Sequence, residues 1–145
     1  LQAMILTDGE KMLLTPTYHV FHLYKPFQGA TQLPVELESP RYKRGEWDVP
    51  VVHATAARDA AGKLHVGLAN LDPDRAAHLS IRVAGAKTGA VTGRILTAPH
   101  MNAINTFDAP DTVRPVAFDD AHVQDERIVM TLPPKSVLVL NLPRS

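Results

Sequence analysis

Seven histidines, two near pairs of carboxylates and four serines are the groups in this chain that could do chemistry. His19 and His22 stand three apart in a segment with helical spacing, so their rings could share one face. A zinc site needs a third protein ligand, and nothing adjacent supplies one. The other histidines scatter over different strand-like runs, so they read as hydrogen-bonding groups and no metal is expected. Glu36 with Glu38, and Asp119 with Asp120, invite comparison with a pair of carboxyls facing each other across a sugar. Glu36 and Glu38 would lie on one strand face and Asp119–Asp120 in a turn. Neither sits among aromatic residues that would raise one pKa, so both pairs read as solvated and non-catalytic. Ser39, Ser80, Ser136 and Ser145 all fall outside a Gly-x-Ser-x-Gly elbow. Trp47 and Tyr42 could form a sugar-stacking platform if exposed together. The favoured reading is an aromatic plug between this domain and its neighbour, since aromatic residues are few and cores need them.

Composition narrows the classes. Lys and Arg number 15, balanced by 15 Asp and Glu, so no net field draws the chain to nucleic acid or an anionic membrane. No apolar run approaches the ~20 residues of a membrane span. There is no cysteine, hence no disulfide, thiolate nucleophile or Cys-ligated zinc. Hydrophobic residues make up 45% of the chain, enough for a sizeable folded core.

The elements that must carry these groups change character near Gln28. Leu1 to Thr7 is nearly continuously apolar and bounded by Asp8-Gly9, which predicts a strand covered on both faces, as in a parallel sheet or barrel. Glu10 to Leu14 returns towards a helix start, where Thr15 caps and Pro16 takes the first helical position. Val20, Leu23, Tyr24 and Phe27 follow helical spacing, with Phe21 widening the stripe, until Pro26 ends the helix. Strand, loop and helix in that order match the last unit of a (β/α)8 barrel. Because an apolar stretch opens the chain, the expectation is a larger protein severed at Leu1, with its chemistry upstream. A side-chain amide at Gln2, at the mouth of such a strand, could offer a donor and an acceptor to a sugar hydroxyl, although composition alone favours a satisfied amide at a strand end.

After Gln28, short runs replace helical periodicity. Val51–Ala57, Lys63–Leu71, Ala77–Val83, Val91–Thr97, Arg127–Leu132 and Ser136–Leu142 read as strands separated by turn signals. Six or more such strands predict a mainly β fold, a two-sheet antiparallel β-sandwich. The last run sets Val137 and Val139 against Leu138, Leu140 and Leu142, so it should lie inside its sheet. Ala98 to Arg114 has no sustained period and reads as a long loop that docks through Met101, Ile104 and Phe107. The domain expectation is therefore a barrel end over residues 1–28 and a sandwich over 29–145.

Several strings carry a resemblance. LQAMILTDGEKMLLTPTYHVFHLYKPFQGA, HVGLANLDPDRAAHLSIRV, NAINTFDAPDTVRP and LPPKSVLVLNL together resemble the C-terminal region of α-L-arabinofuranosidases of glycoside hydrolase family 51. TPTYHVF and NTFDAPDTV are the more specific of these. The resemblance implies a catalytic (β/α)8 barrel followed by a jelly-roll β-sandwich. It also implies retaining release of terminal α-L-arabinofuranosyl units from arabinose-containing saccharides. Both catalytic glutamates would precede Leu1, leaving this piece mainly structural and inactive alone, with no catalytic residue and no cofactor of its own. Gln2 is the one position that carries over, as a contact to the bound sugar. The implied partners are the upstream barrel of the same protein, an arabinose-containing saccharide and further copies in a homo-oligomer, and the implied location is cytoplasmic. No nucleic acid or membrane is expected. A non-catalytic carbohydrate-binding or oligomerisation module is the alternative.

Overall fold

A computed structural model describes residues 3–84 and 90–143. The chain opens with a hairpin of β1 (Ile5–Asp8) and β2 (Lys11–Leu14), then the helix α1 (Pro16–Leu23) and one 3₁₀ turn, Lys25–Phe27. The strands β3 (Thr31–Leu33), β4 (Arg41–Arg44), β5 (Trp47–Pro50), β6 (Val52–Arg58), β7 (Leu64–Asn70) and β8 (Ala77–Arg82) follow. The series closes with β9 (Thr92–Leu96), β10 (Val116–Phe118), β11 (His122–Gln124), β12 (Arg127–Leu132) and β13 (Ser136–Leu142). Six strands form one antiparallel sheet in the order β10-β9-β13-β7-β6-β3, and β11-β12-β8 form a second. The predicted antiparallel architecture is present, and all six predicted strands appear within a residue or two of their expected bounds.

β13 lies between β9 and β7, inside the larger sheet as its two-sided apolar pattern requires. Leu138, Leu140 and Leu142 enter the core between the two sheets, joined there by Leu64, Val66 and Leu68 of β7 and by Ile128, Met130 and Leu132 of β12. Val139 points the other way and forms a second core with Leu23, Leu96 and Val113. Around it pack Val20, Tyr24 and Phe27, which are the predicted helix stripe. α1 thus covers the far face of the six-stranded sheet. Gly67 makes this contact possible, because a Cβ there would lie 2.7 Å from Tyr24 Oη and 2.8 Å from Tyr24 Cε1.

Four expectations need correction. The amino-terminal strand is present as β1, but it is exposed rather than covered on both faces, and Lys11–Leu14 is its antiparallel partner rather than a loop, with Ile5 opposite Leu14 and Asp8 opposite Lys11. Gly9, at φ +56°, makes the tight turn that Asp8-Gly9 announces. Phe21 does not widen the buried stripe; it is 64% exposed, on the opposite side of α1. Glu36 and Glu38 lie on no strand, since residues 34–40 are irregular and both carboxylates are exposed. The 98–114 segment docks through Ala98, Ala103 and Val113. Met101 and Ile104 remain exposed. Small residues and one valine suffice there because the sheet already supplies the larger side chains.

Candidate functional site

Among the described residues, none of the carboxylates or serines considered above meets a partner that would activate it; Ser145 lies outside them. Asp120 Oδ2 accepts the Thr131 amide at 2.6 Å, a strand-end cap. Ser39 Oγ donates to Pro40 O and accepts from Val52 N, Ser80 Oγ accepts from Arg127 Nε, and Ser136 Oγ donates to Pro133 O. Among the described residues no group of three or more His, Asp or Glu side chains is arranged to hold a metal ion. Trp47 is 74% exposed at the β4–β5 hairpin, while Tyr42 is half-buried against the main core, so the two do not form a joint platform. The hairpin that carries Trp47 is braced by Asp48, which accepts Arg41 Nε at 2.7 Å and lies 3.6 Å from Lys43 Nζ. The Arg41 hydrogen bond, more than any other effect, holds the Asp48 carboxyl below its usual range.

Buried polar groups concentrate where loops must be tied down. Asn70 Nδ2 donates to the carbonyls of Arg75, Leu132 and Pro133, and its Oδ1 accepts from Asp72 N. Asp72 is equally buried and accepts from Asp74 N, Arg75 N and Arg75 Nε. Burial pushes its carboxyl up, but the hydrogen bonds from Asp74 and Arg75 outweigh that and leave it below the usual range. At the other end of β7, the His65 ring nitrogens lie 2.7 Å from Asn141 Oδ1 and 3.0 Å from Asp59 Oδ2. Asp59 Oδ1 also accepts from Ala61 N and Lys63 N, closing the β6–β7 turn. These clusters act as structural staples: most of their hydrogen bonds go to backbone groups of the adjoining turns and strand ends. Sequence reading missed them; the one available signal was Asn70 and Asp72 bracketing a Leu at the end of an apolar strand.

The amino-terminal hairpin is different, because it exposes apolar side chains on both of its faces. Met4, Ile5, Leu6 and Met12 are all open, with Ile5 and Leu6 on opposite sides of β1. Its position is set by Thr15, whose Oγ1 lies 2.9 Å from Ala3 O and 3.0 Å from Met4 O. Asn105, from the long loop, donates to Leu14 O at 2.8 Å and brackets Val113. Gln2 itself lies outside the described residues, as does Leu1.

His19 sits one turn further along α1, buried, with Nε2 lacking a hydrogen-bond partner. Burial lowers its pKa from 6.5; the Asp111 charge opposes this, while His22 and Arg94 add to it. The unfolded chain therefore binds this proton more readily than the folded one. Stability should be highest above pH ~6.5 and should fall as pH drops below that value. His19→Phe should flatten the slope, which urea unfolding at pH 7.5 and pH 5 will measure. An unchanged slope would assign the acid sensitivity to other groups.

Comparison with known proteins decides the family. Residues 1–136 match the model of the α-L-arabinofuranosidase C-terminal domain. The chain belongs to that family. This arabinofuranosidase C-terminal domain is 38% identical over 143 residues to an intracellular exo-α-L-arabinofuranosidase of Bacteroides ovatus, covering 98% of the chain but 28% of that protein. It superposes with a TM-score of 0.95 on the family 51 arabinofuranosidase of Xanthomonas axonopodis pv. citri, at 49% identity, covering 99% of this chain and 29% of that one. The thermostable family 51 enzyme of Thermotoga petrophila gives a TM-score of 0.82 at 26% identity, with 97% and 31% covered. The arabinofuranosidase C-terminal domain thus spans less than a third of the relatives it matches. No helix among its described residues is long and apolar enough to cross a membrane.

Proposed function

We propose that this domain completes a retaining, exo-acting α-L-arabinofuranosidase of glycoside hydrolase family 51. Residues 1–28 close the catalytic (β/α)8 barrel, and residues 29–145 form the accessory sandwich behind it. The observation that carries the reading is the β1–β2 hairpin, open and apolar on both faces, in a chain that matches a C-terminal domain and spans 29% of a family 51 relative. Such a surface is what an element shared with a neighbouring domain presents when viewed alone. Two carboxyls from the upstream part do the chemistry. One carboxylate attacks the anomeric carbon and forms a covalent arabinosyl-enzyme ester. The other protonates the departing glycosidic oxygen, then removes a proton from the water that cleaves the ester. Gln2 holds the arabinose through its amide, and the complete protein works as a cytoplasmic homo-oligomer.

The test compares the full-length protein with the 145-residue chain on an aryl α-L-arabinofuranoside. The full-length protein should release the aryl group with retention at the anomeric carbon. The chain alone should show no turnover, and detectable turnover by it would overturn the reading. A second reading, a polysaccharide-binding module, draws on the exposure of Trp47. Calorimetry with arabinan and arabinoxylan separates the two, since only the binding module takes up these polymers without the barrel.

A further inference from the structure

We infer that the tip of the β4–β5 hairpin binds an anionic saccharide, one that carries uronate carboxylates, with Trp47 as the stacking plate and Arg44 as the anion contact. Strand register puts these two side chains together. Arg44 and Trp47 stand opposite each other across the turn Gly45-Glu46, and Tyr42 is paired with Val49 nearer the body. Residues directly opposite share a face, as do residues two apart along a strand. One face of the hairpin therefore runs from Tyr42 and Val49 to Arg44 and Trp47. Its root is held, since Tyr42 packs against the main core. Its tip is open, with Trp47 74% exposed and Arg44 exposed beside it.

Charge divides unequally between the two faces. Arg41 and Lys43 belong to the other face and share Asp48, at 2.7 Å and 3.6 Å. Arg44 has no ion pair among the described residues. An indole offers its electron-rich face to the C–H side of a sugar ring, and a guanidinium offers a fork of donors to a carboxylate. A neutral sugar would use the first group and leave the second idle, whereas a uronate uses both. Glu46 in the turn opposes an anion, so the fit depends on Arg44. The size of the patch selects a saccharide over a second copy of the chain. A stable protein interface buries about 800 Å² on each partner and has few Lys or Asp at its centre. A Trp side chain offers about 150 to 250 Å², enough for a sugar ring and far short of that. The inference does not depend on the catalytic reading. It shares the exposed Trp47 with the polymer-binding reading but names a charged ligand, so neutral arabinose chains become its control.

Trp47 is the one tryptophan of the chain, so its fluorescence reports the site directly. The experiment titrates the 145-residue chain with tri-galacturonate, following indole emission and heat, and repeats the calorimetry on the full-length protein. A shallow site of this size should bind with Kd on the order of 1 mM. Arg44→Gln should weaken binding about 10-fold, as loss of a charge-assisted contact does. Raising salt from about 0.05 M to 0.5 M should weaken the wild type about 3-fold and leave Arg44→Gln unmoved. Trp47→Ala should abolish binding, while Trp47→Phe, which keeps a ring, should stay within about 5-fold. Both positions are exposed, so melting temperatures should change by no more than about 3 °C. Arabinotriose bound as tightly as tri-galacturonate overturns the inference, and so does binding indifferent to Arg44→Gln. Uptake by the chain but not by the full-length protein also overturns it, by giving Trp47 to a contact with the rest of the protein. Dimerisation of the full-length protein that Trp47→Ala removes does the same, by giving the tip to a second copy.

Discussion

Asn70→Ala should cost about 3 to 5 kcal/mol, the largest loss expected from any single polar substitution in this chain. The side chain is 2% exposed and makes four hydrogen bonds, all to backbone. Its removal strands the carbonyls of Arg75 and Leu132 and the amide of Asp72, while Pro133 O keeps only the Ser136 hydroxyl. Each buried orphan costs roughly 1 to 3 kcal/mol, and partial relaxation offsets some of the sum. The damage spreads beyond one loop. Asp72 O accepts from Lys135 N, and Pro73 O accepts from Lys135 Nζ, so the β7–β8 and β12–β13 connections loosen together. Asn70→Asp should be no milder, since an ionised carboxylate would face three carbonyl oxygens and lose every donor. Urea unfolding of the three proteins checks this. A loss below about 1 kcal/mol for Asn70→Ala would mean water replaces the amide, which the staple account forbids.

Gly67→Ala should be nearly as damaging, at about 2 to 3 kcal/mol, although it adds a single methyl group. The added Cβ would meet Tyr24 Oη at 2.7 Å, Tyr24 Cε1 at 2.8 Å and Thr55 Cγ2 at 3.0 Å. Thr55 is paired directly opposite Gly67 on the neighbouring strand, and the closer clash is with the Tyr24 ring, which must tilt away from the sheet. Tyr24 in turn stacks near Phe27, with ring centroids 5.1 Å apart, and burial pushes its phenol pKa up. Displacing the ring therefore lifts the end of α1 off β13 and β7. The phenol pKa should move back towards 10 as the ring gains water, a change visible in an alkaline absorbance titration. Tyr24→Leu in the Gly67→Ala background should recover part of the lost stability, because the two changes share one contact. Additive losses in the double mutant would remove the steric explanation.

The two predictions rest on features of different legibility. The strands around β13 could be read from residue order because their apolar periodicity is local. Alternation in Lys63–Leu71 and the two opposed sets in Ser136–Leu142 state directly which side chains enter which core. The Thr15-Pro16 helix start was equally readable, since both the cap and the proline act on residues within one turn. Family membership was legible in TPTYHVF and NTFDAPDTV. Three-residue strands such as β3, β10 and β11 carried no such signal. A segment that short has no period to detect, and its existence depends on an edge offered by a strand far away in the chain.

The side chains that matter most for stability were the least visible. Asn70 reaches Leu132 and Pro133 across more than 60 residues of sequence, Asn105 reaches Leu14 across 91, and His65 meets Asn141 across 76. Local order therefore settled which residues are strand, helix and turn, and which family the chain joins, because those properties arise from neighbours within a few positions. Tertiary packing alone settled which polar groups are buried, why Gly67 cannot be larger, why Phe21 faces outward, and how Thr15 comes to grip the residues after Gln2. Burial and hydrogen-bond partnership are properties of pairs, and when the two members lie this far apart only the folded chain brings them together.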